Sequence, residues 1–226
     1  MDKNAVITGD LVKSRSIKNT DIEPVISSLK NTFNEINIHL LDGKGDFDVF
    51  RGDSFQGLIP KPELALRVAI IIRAHLRTYE PSGNDKIDKP ILNAYSDARI
   101  AIGIGTINYK AERISESQGE AFEKSGYALD ALKRENNRLI IVSPWENINN
   151  EFSVECKLAD AIINRWTAST AVAMYHHLLY GKNQKELAKE LKITQPGIHK
   201  RLMMYGNADG IQAFLNRYTM LITKVE

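Results

Sequence analysis

The sequence predicts an α/β domain over residues 1–146, a connecting helix over residues 147–167 and a small all-α domain over residues 168–226. Three observations support this division. Short β-branched runs alternate with helical periodicity in the first part, a glycine-opened turn separates two of its strands, and only helical periodicity follows residue 146. The order of strands and helices indicates a sandwich related to the ferredoxin-like arrangement, with one sheet and its helices on one face.

Each element of the α/β domain follows from the spacing of its apolar residues. The predicted strands are residues 5–9, 47–50, 55–59, 99–106 and 138–143, and the predicted helices are residues 21–38, 63–79 and 119–134. The second and third strands form a hairpin around Gly52 and Asp53, and the polar, proline-bearing residues 81–95 predict a surface insertion.

Two glycines stand two residues apart in the fourth predicted strand. Gly103 and Gly105 leave one face of that strand bare, so a ligand, a partner strand or a closely packed helix could approach the backbone there. The amphipathic helix at residues 151–166 is interpreted as packing between the domains, with a lever or a dimer seam as the alternatives.

Composition limits the classes of function. No apolar run reaches eighteen residues and the first residues lack a signal region, so we expect a cytoplasmic protein without a membrane partner. The single cysteine, Cys156, is expected to be a buried thiol. Residues 151–226 carry 10 Lys and Arg against 7 Asp and Glu, whereas the first 150 carry 20 against 21. The excess of three positive charges permits contact with nucleic acid but does not by itself indicate it.

The segment at residues 184–202 resembles a helix-turn-helix motif. Its core positions are apolar, Thr194 is placed to cap the second helix, and Pro196 lies in that helix's first turn. Lys192 stands where the turn usually has glycine and would have to adopt a left-handed conformation. If DNA is bound, the residues expected to reach bases or phosphates are Thr194, Gln195, His199 and Lys200. The alternative is a helix-turn-helix used for protein contact or dimerisation.

Two carboxylates are placed at strand ends. Asp10 closes the first strand and Asp53 lies in the hairpin turn, so both side chains are offered where a fold can expose them. Two carboxylates on separate elements can bind a hard divalent cation that also contacts phosphate oxygens. An aspartate that caps a helix and an aspartate in a turn would give the same sequence pattern. Next to Asp10, Lys13, Ser14 and Arg15 are either a phosphate cradle or, as we favour, a solvated loop.

These stretches carry two resemblances. Residues 7–15, residues 51–56 and Trp166-Thr167 resemble the SatD family, bacterial proteins that are named for acid tolerance and described as regulators. More distantly, residues 1–145 resemble the catalytic domain of class III nucleotide cyclases. That resemblance implies that Asp10 and Asp53 hold Mg²⁺ or Mn²⁺ with a nucleotide.

The cyclase resemblance is incomplete at the positions that orient the ribose and stabilise the transition state. Glu123 and Tyr127 stand where the cyclases have asparagine and arginine. The absence of those two residues argues against enzymatic activity. The leading hypothesis is therefore a DNA-binding transcriptional regulator with a cyclase-like domain that senses a ligand or nucleotide. The alternatives are an active metal-dependent cyclase or nucleotidyltransferase and a non-catalytic oligomerising adaptor, and a homodimer is compatible with each.

Overall fold

The computed structural model describes residues 3–12, 19–50, 52–80, 96–135 and 137–225, and it alternates strands and helices in the predicted order. The strands are β1 (Asn4–Leu11), β2 (Asp46–Phe50), β3 (Ser54–Ile59), β4 (Ala98–Gly105) and β5 (Leu139–Val142). The helices are α1 (Asn19–Leu40), α2 (Ala65–Arg77), α3 (Glu120–Leu132), α4 (Glu146–Ile163), α5 (Ala168–Tyr180), α6 (Gln184–Glu190), α7 (Gln195–His199) and α8 (Ala208–Lys224). A π-helix, Lys200–Tyr205, continues α7. The predicted insertion at residues 81–95 lies outside the described residues.

The five strands form one sheet in the order β2-β3-β1-β4-β5. β1 pairs with β3 and with β4 in antiparallel register, and β2 pairs with β3 as the predicted hairpin. Gly52 opens that hairpin with a φ of 79°, a conformation that glycine adopts without strain. The first four strands with α1 and α2 therefore reproduce the ferredoxin-like arrangement, and β5 adds a parallel strand beside β4. The mixed α/β fold class is confirmed.

The helices cover both faces of the sheet, so the prediction that they lie on one face is wrong. Alternate residues of β1 divide between two cores. Ala5 and Ile7 belong to the core that contains α1 and α2, whereas Val6 packs with Ala121 and Phe122 of α3. The physical reason is visible along β4, where both alternating sets are apolar or small, and a strand of that composition is buried on both faces.

The glycines of β4 serve the packing of α3. A β-carbon at Gly103 would lie 2.3 Å from the carbonyl oxygen of Ala121 and 2.5 Å from the amide nitrogen of Ser125. A β-carbon at Gly105 would lie within 3 Å of the Glu120 side chain. Of the alternatives considered from the sequence, a closely packed helix is the one that the structure shows.

We expect Gly103→Ala to destabilise the fold by about 1–3 kcal/mol, because the added methyl would overlap backbone atoms that cannot rotate away. Gly126 is a matched control within α3, since a β-carbon there meets nothing within 4 Å. Gly126→Ala should stabilise the chain by about 0.5–1 kcal/mol, as alanine does in a helix interior. Urea unfolding followed by circular dichroism measures both values. Equal effects of the two substitutions would contradict the packing argument.

The C-terminal helices share a core with the sheet. One continuous cluster of buried apolar side chains includes Ile7 of β1, Ile70 of α2, Met174 of α5, Ile198 of α7 and Ile222 of α8. Polar contacts cross the same boundary, since the Tyr180 hydroxyl donates to Glu35 at 2.9 Å and the Tyr218 hydroxyl donates to the Pro62 carbonyl at 2.8 Å. The division into separate domains stays a prediction, and the two parts are packed tightly together.

The connecting helix differs from its prediction at its start. α4 begins at Glu146 rather than at residue 151, directly after its N-cap residue Trp145. Its buried face includes Phe152 and Cys156, whereas the apolar side chain of Leu158 is 61% exposed. The expected buried thiol is confirmed, and burial raises the pKa of Cys156 well above its usual value.

Among the described helices, none combines the length and the apolar character that a membrane crossing requires.

Candidate functional site

The helix-turn-helix forms as its sequence predicts. Asn183 caps α6 with a capping box that includes Glu186. Lys192 adopts the left-handed conformation in the turn, with a φ of 53°, in the position where glycine is usual. The Thr194 hydroxyl then accepts a hydrogen bond from the Gly197 amide at 3.3 Å and caps α7, and Pro196 lies in the first turn of that helix. The two helices and their sharp turn are therefore fixed locally.

The motif is anchored by apolar side chains and presents a polar surface. Leu187, Ile198 and Leu202 are buried, and the partly buried Leu191 and Ile193 pack against the same core. The four predicted DNA-contacting residues, Thr194, Gln195, His199 and Lys200, are all exposed. Gln195 and His199 stand four residues apart and share one face of the helix. Their role in DNA binding stays a prediction.

Uncompensated positive charge surrounds this surface. Lys185, Lys189, Lys192 and Lys200 are exposed, and within the described part of the chain none of them forms an ion pair. Lys182 differs, because its ammonium lies 2.6 Å from the Glu190 carboxylate. The modest net charge of the segment thus understates the local excess of cations at the motif. Such cations are the groups that neutralise nucleic-acid phosphates.

Asp10 lies within β1 rather than at its end, on the face of the sheet that α3 covers. It stands opposite Ser54 of β3 and opposite Arg99 of β4. The Arg99 guanidinium donates from Nε to the Asp10 carboxylate at 3.0 Å, and the side chain of Asp10 is only 12% exposed. Asp10 is therefore a partly buried carboxylate that already has a cationic partner.

Asp53 is the neighbour of Asp10 through the backbone. The Leu11 amide donates to the Asp53 carbonyl at 2.9 Å, which places the hairpin turn beside the end of β1. The Asp53 side chain is half-buried and accepts a long contact from the Ser54 hydroxyl at 3.5 Å. The structure thus places Asp53, in the turn before β3, next to the end of β1, the strand that contains Asp10. The predicted phosphate residues Lys13, Ser14 and Arg15 lie outside the described residues.

A row of polar side chains, missed in the sequence, lies on the same face as Asp10. The Gln56 amide donates to the Thr8 hydroxyl at 3.1 Å, and that hydroxyl is 2.8 Å from the Ser125 hydroxyl of α3. Glu123 and Tyr127 are exposed on α3, with Tyr127 78% exposed. Polar residues at alternate positions of β1 and β3 were the signal that could have revealed this row.

The residues at Asp10 provide a poor set of ligands for the metal that the cyclase resemblance implies. A divalent cation needs several oxygen ligands, and no group of three or more His, Cys, Asp or Glu residues within the described ranges is arranged to hold one. The Arg99 guanidinium also occupies one carboxylate oxygen of Asp10. The assignment of Asp10 and Asp53 as metal ligands stays a prediction.

A buried network of arginines and aspartates joins the sheet to the helical part. Arg73 of α2 donates to Asp97 through Nε at 3.0 Å and through a terminal nitrogen at 3.1 Å, and it also pairs with Asp160 of α4. Arg77 donates to Asp97 at 2.7 Å, and Arg138 does so at 2.5 Å. The side chains of Arg73 and Arg77 are at most 1% exposed. This network was not predicted.

The same network holds the segment that leads into the helix-turn-helix part. Arg77 donates to the Asn164 carbonyl at 2.7 Å and to the Trp166 carbonyl at 2.9 Å. The Trp166 indole then donates to the Gly206 carbonyl at 3.1 Å, beyond the π-helix. A continuous path of hydrogen bonds therefore runs from α2 to the end of the recognition helix. Two arginines four residues apart in the apolar helix α2 were the available signal.

Electrostatics explain why this network is stable when buried. Burial alone would raise the pKa of Asp97, but the guanidinium groups of Arg73, Arg77 and Arg138 outweigh it and hold that pKa well below its usual range. Burial likewise opposes the charge of Arg73, but Asp97 and Asp160 raise its pKa above the usual value. Asp97 and Arg73 are therefore both ionised at neutral pH.

Fold and site together define a chain with a ferredoxin-like sheet that is packed against a helix-turn-helix bundle. No family model matches the sequence, and no curated protein matches it. Two of the solved structures to which the chain is similar are bacterial light-regulated adenylyl cyclases. The first is 16% identical with a TM-score of 0.39, and the match covers 62% of this chain and 74% of the cyclase. The second is 13% identical with a TM-score of 0.37, covering 62% and 42%.

These values describe a distant likeness, and they carry no conclusion about activity. This chain spans less than half of the second cyclase's length. The resemblance to the SatD family has no matching family model behind it and stays a prediction.

Proposed function

We propose that this protein is a DNA-binding transcriptional regulator in which the α/β part senses a ligand and the helix-turn-helix contacts DNA. The observation that carries the proposal is the capped recognition helix, whose outward face presents Gln195, His199 and Lys200 to solvent. A helix of this kind fits the major groove of B-form DNA, where glutamine and lysine side chains can reach base edges and phosphates.

Two further features support this function over a protein-contact role for the motif. The exposed side chains of the recognition helix are mainly polar or cationic up to Lys200, and the lysines of α6 and the turn add positive charge beside them. Burial of unpaired lysines in a protein interface would be costly, whereas DNA phosphates would neutralise them and release counterions.

The contacts between the two parts support coupling of a sensor to the motif. The buried arginines of α2 hold the backbone at Asn164 and Trp166, directly before α5. A ligand that shifts the sheet or α2 would therefore act on the segment that supports the helix-turn-helix. The SatD resemblance, with its description as a regulator, agrees with this proposal.

The experiment measures binding of the full chain to labelled genomic duplex fragments by gel shift and fluorescence anisotropy, at low and at moderate salt. We expect binding that weakens as salt rises, with Lys200→Gln reducing the slope of log affinity against log salt by about 1. Gln195→Ala should cost about 1–3 kcal/mol on a preferred fragment and little on unrelated DNA. Lys110 is exposed in the segment after β4, at the opposite end of that strand from Asp97, and it provides the matched control Lys110→Gln.

Two outcomes would reject the proposal. One is the absence of binding to every fragment even at low salt, where electrostatic affinity is greatest. The other is an equal loss of affinity in the Lys110 and Lys200 variants, which would show general attraction between the chain and DNA rather than contact by the recognition helix.

No specific observation favours the enzymatic alternative, because Asp10 is paired with Arg99 and Glu123 and Tyr127 point to solvent. Formation of a product from nucleoside triphosphates with Mg²⁺ or Mn²⁺ that Asp53→Asn abolishes would support it. The oligomerising adaptor and the homodimer also stay predictions. Light scattering measures both, and a stable oligomer that binds neither DNA nor nucleotide would favour the adaptor.

A further inference from the structure

A cavity of about 910 Å³ opens beside the recognition helix, between the end of α4, the start of α5 and the π-helix. Its lining includes three cationic side chains, Arg165, Lys200 and Arg201. No carboxylate is among the described residues that line it. A concavity of this size falls in the range that accommodates a small organic molecule. Its positive charge selects for an anion.

Apolar side chains complete the cavity. Met203, Met204 and Tyr205 line it, and Met204 and Tyr205 are 68% and 52% exposed. The Lys200 ammonium lies 5.5 Å from the centre of the Tyr205 ring. Inorganic phosphate or a DNA phosphate would use the cations and leave the methionines and the tyrosine exposed. A molecule with both an apolar body and an anionic group would cover both kinds of side chain.

The backbone at this cavity has an unusual form. Residues Lys200–Tyr205 are π-helical, and the Gly206 amide donates to the Arg201 carbonyl at 2.8 Å across the wider turn. π-helical turns are rare and occur frequently at functional sites. This segment contributes Lys200, Arg201 and all three apolar side chains named above to the cavity. The widened turn is therefore the element that presents them together.

We propose that this cavity is a binding site for an amphipathic organic anion, whose acidic group contacts Arg165, Lys200 and Arg201 and whose apolar body packs on Met203, Met204 and Tyr205. Lys200 has two roles in this arrangement, because it is also a predicted DNA contact. Occupation of the cavity would draw Lys200 toward the bound anion and weaken DNA binding. By linkage, DNA would weaken binding of the anion by the same factor.

The first test uses the fluorescent dye anilinonaphthalene sulfonate, which combines an aromatic body with one anionic group, on the full folded chain. We expect saturable binding that the double substitution Arg165→Gln with Arg201→Gln weakens about tenfold, since two charge-assisted contacts are lost. Lys110→Gln should change the affinity by less than about twofold, as expected for an exposed charge that pairs with Asp46 and does not line the cavity. Equal binding by wild type and by the double variant would overturn the site.

Two controls separate the site from non-specific dye binding. The neutral parent compound, phenylnaphthylamine, should bind more weakly than the sulfonate and should not respond to the arginine substitutions. Met204→Gln should weaken both dyes, because it removes the apolar contact and leaves the cations in place. If the neutral dye binds as tightly as the sulfonate, anion recognition by this cavity is refuted. Unfolding midpoints of all variants confirm that each chain is folded.

The second test rests on the proposed DNA-binding function. Saturating anilinonaphthalene sulfonate should raise the dissociation constant of a labelled duplex, whereas Arg165→Gln alone should leave DNA affinity unchanged and weaken the dye. If the dye binds and DNA affinity does not change, the linkage is wrong and the site stands. If DNA binds and the dye does not, the site is wrong and the proposed function stands. A loss of DNA affinity in Arg165→Gln without any effect on the dye would show that the cavity contacts DNA phosphates, which also overturns the ligand site.

Discussion

Asp97→Asn is expected to lower the free energy of unfolding by about 3–5 kcal/mol, the usual cost of removing one partner from a buried ion pair. The substitution keeps the size of the side chain and removes its charge. Arg73 would then keep Asp160 as a partner, whereas Arg77 and Arg138 would lose the carboxylate with which they pair in the described network. Urea unfolding at neutral pH, followed by circular dichroism, measures the loss.

The exposed ion pair between Lys61 and Asp42 provides the control. These groups lie 2.7 Å apart, but their side chains are 43% and 65% exposed, so solvent screens their attraction. We expect no measurable change in the urea midpoint for Asp42→Asn. If Asp97→Asn also falls within about 1 kcal/mol of wild type, the buried network does not stabilise the fold in the way that its geometry implies.

The pH dependence of the same variant has a defined sign. The pKa of Asp97 is lower in the folded chain than in the unfolded chain, where it is about 3.9. The Asp97 carboxylate therefore contributes to the free energy of unfolding above that unfolded pKa, and this contribution is lost as pH falls through the folded pKa. The gap in stability between wild type and Asp97→Asn should therefore be equal at pH 7 and pH 5. It should narrow below about pH 4.

The order of the elements could be predicted because it depends on local periodicity. The helix predicted at residues 119–134 agrees with α3 to within two residues at each end, and the hairpin around Gly52 is present. Lys192 occupies the position at which the turn of a helix-turn-helix usually has glycine, and its φ of 53° confirms the predicted left-handed conformation. Residues close together in the chain determine each of these features, so the sequence pattern contains the necessary information.

The contacts that link distant parts of the chain could not be predicted in the same way. Arg73 and Asp160 are 87 residues apart, and no periodic pattern relates them. The packing of α3 against Gly103 likewise depends on the face of the sheet on which α3 lies. Hydrophobic alternation alone does not determine that face. The pairing of Asp10 with Arg99 is of the same kind, because the strand register determines it.

This difference changes the interpretation of the two candidate sites. The helix-turn-helix is a local feature, and its predicted geometry survives in the structure with its caps and turn in place. The carboxylate site depends on residues that are distant in the sequence. The strand register places the Arg99 guanidinium against Asp10, and the two aspartates alone do not predict that pairing. The chain therefore has a well-formed helix-turn-helix with an exposed polar surface at one end. At the sheet it offers a neutralised carboxylate.

Trp166→Ala is expected to lower stability by about 3–5 kcal/mol in a single transition that includes both the sheet and the helical bundle. Trp166 is fully buried, and its indole nitrogen is hydrogen-bonded to the Gly206 carbonyl. Its neighbours belong to the one core that contains residues of β1 and of α8. Removal of this side chain leaves a cavity where the two parts meet, so both should unfold together.

The variant contains its own probe of cooperativity. The chain has two tryptophans, so in Trp166→Ala the fluorescence comes from Trp145, whose ring lies 4.0 Å from the Lys3 ammonium beside the sheet. Far-ultraviolet circular dichroism reports mainly on the helices. If the shared core makes the chain one cooperative unit, the two signals will have the same urea midpoint, shifted from wild type.

A matched substitution on the surface tests whether the effect comes from burial. Tyr127 is 78% exposed, and Tyr127→Ala should change the free energy of unfolding by less than about 0.5 kcal/mol. If in Trp166→Ala the dichroism signal is lost early while Trp145 keeps the wild-type midpoint, the helical bundle unfolds alone. The sequence-based division at residues 146 and 167 would then describe two independent folding units, and the proposed sensing by the α/β part would have to act through a flexible rather than a packed connection.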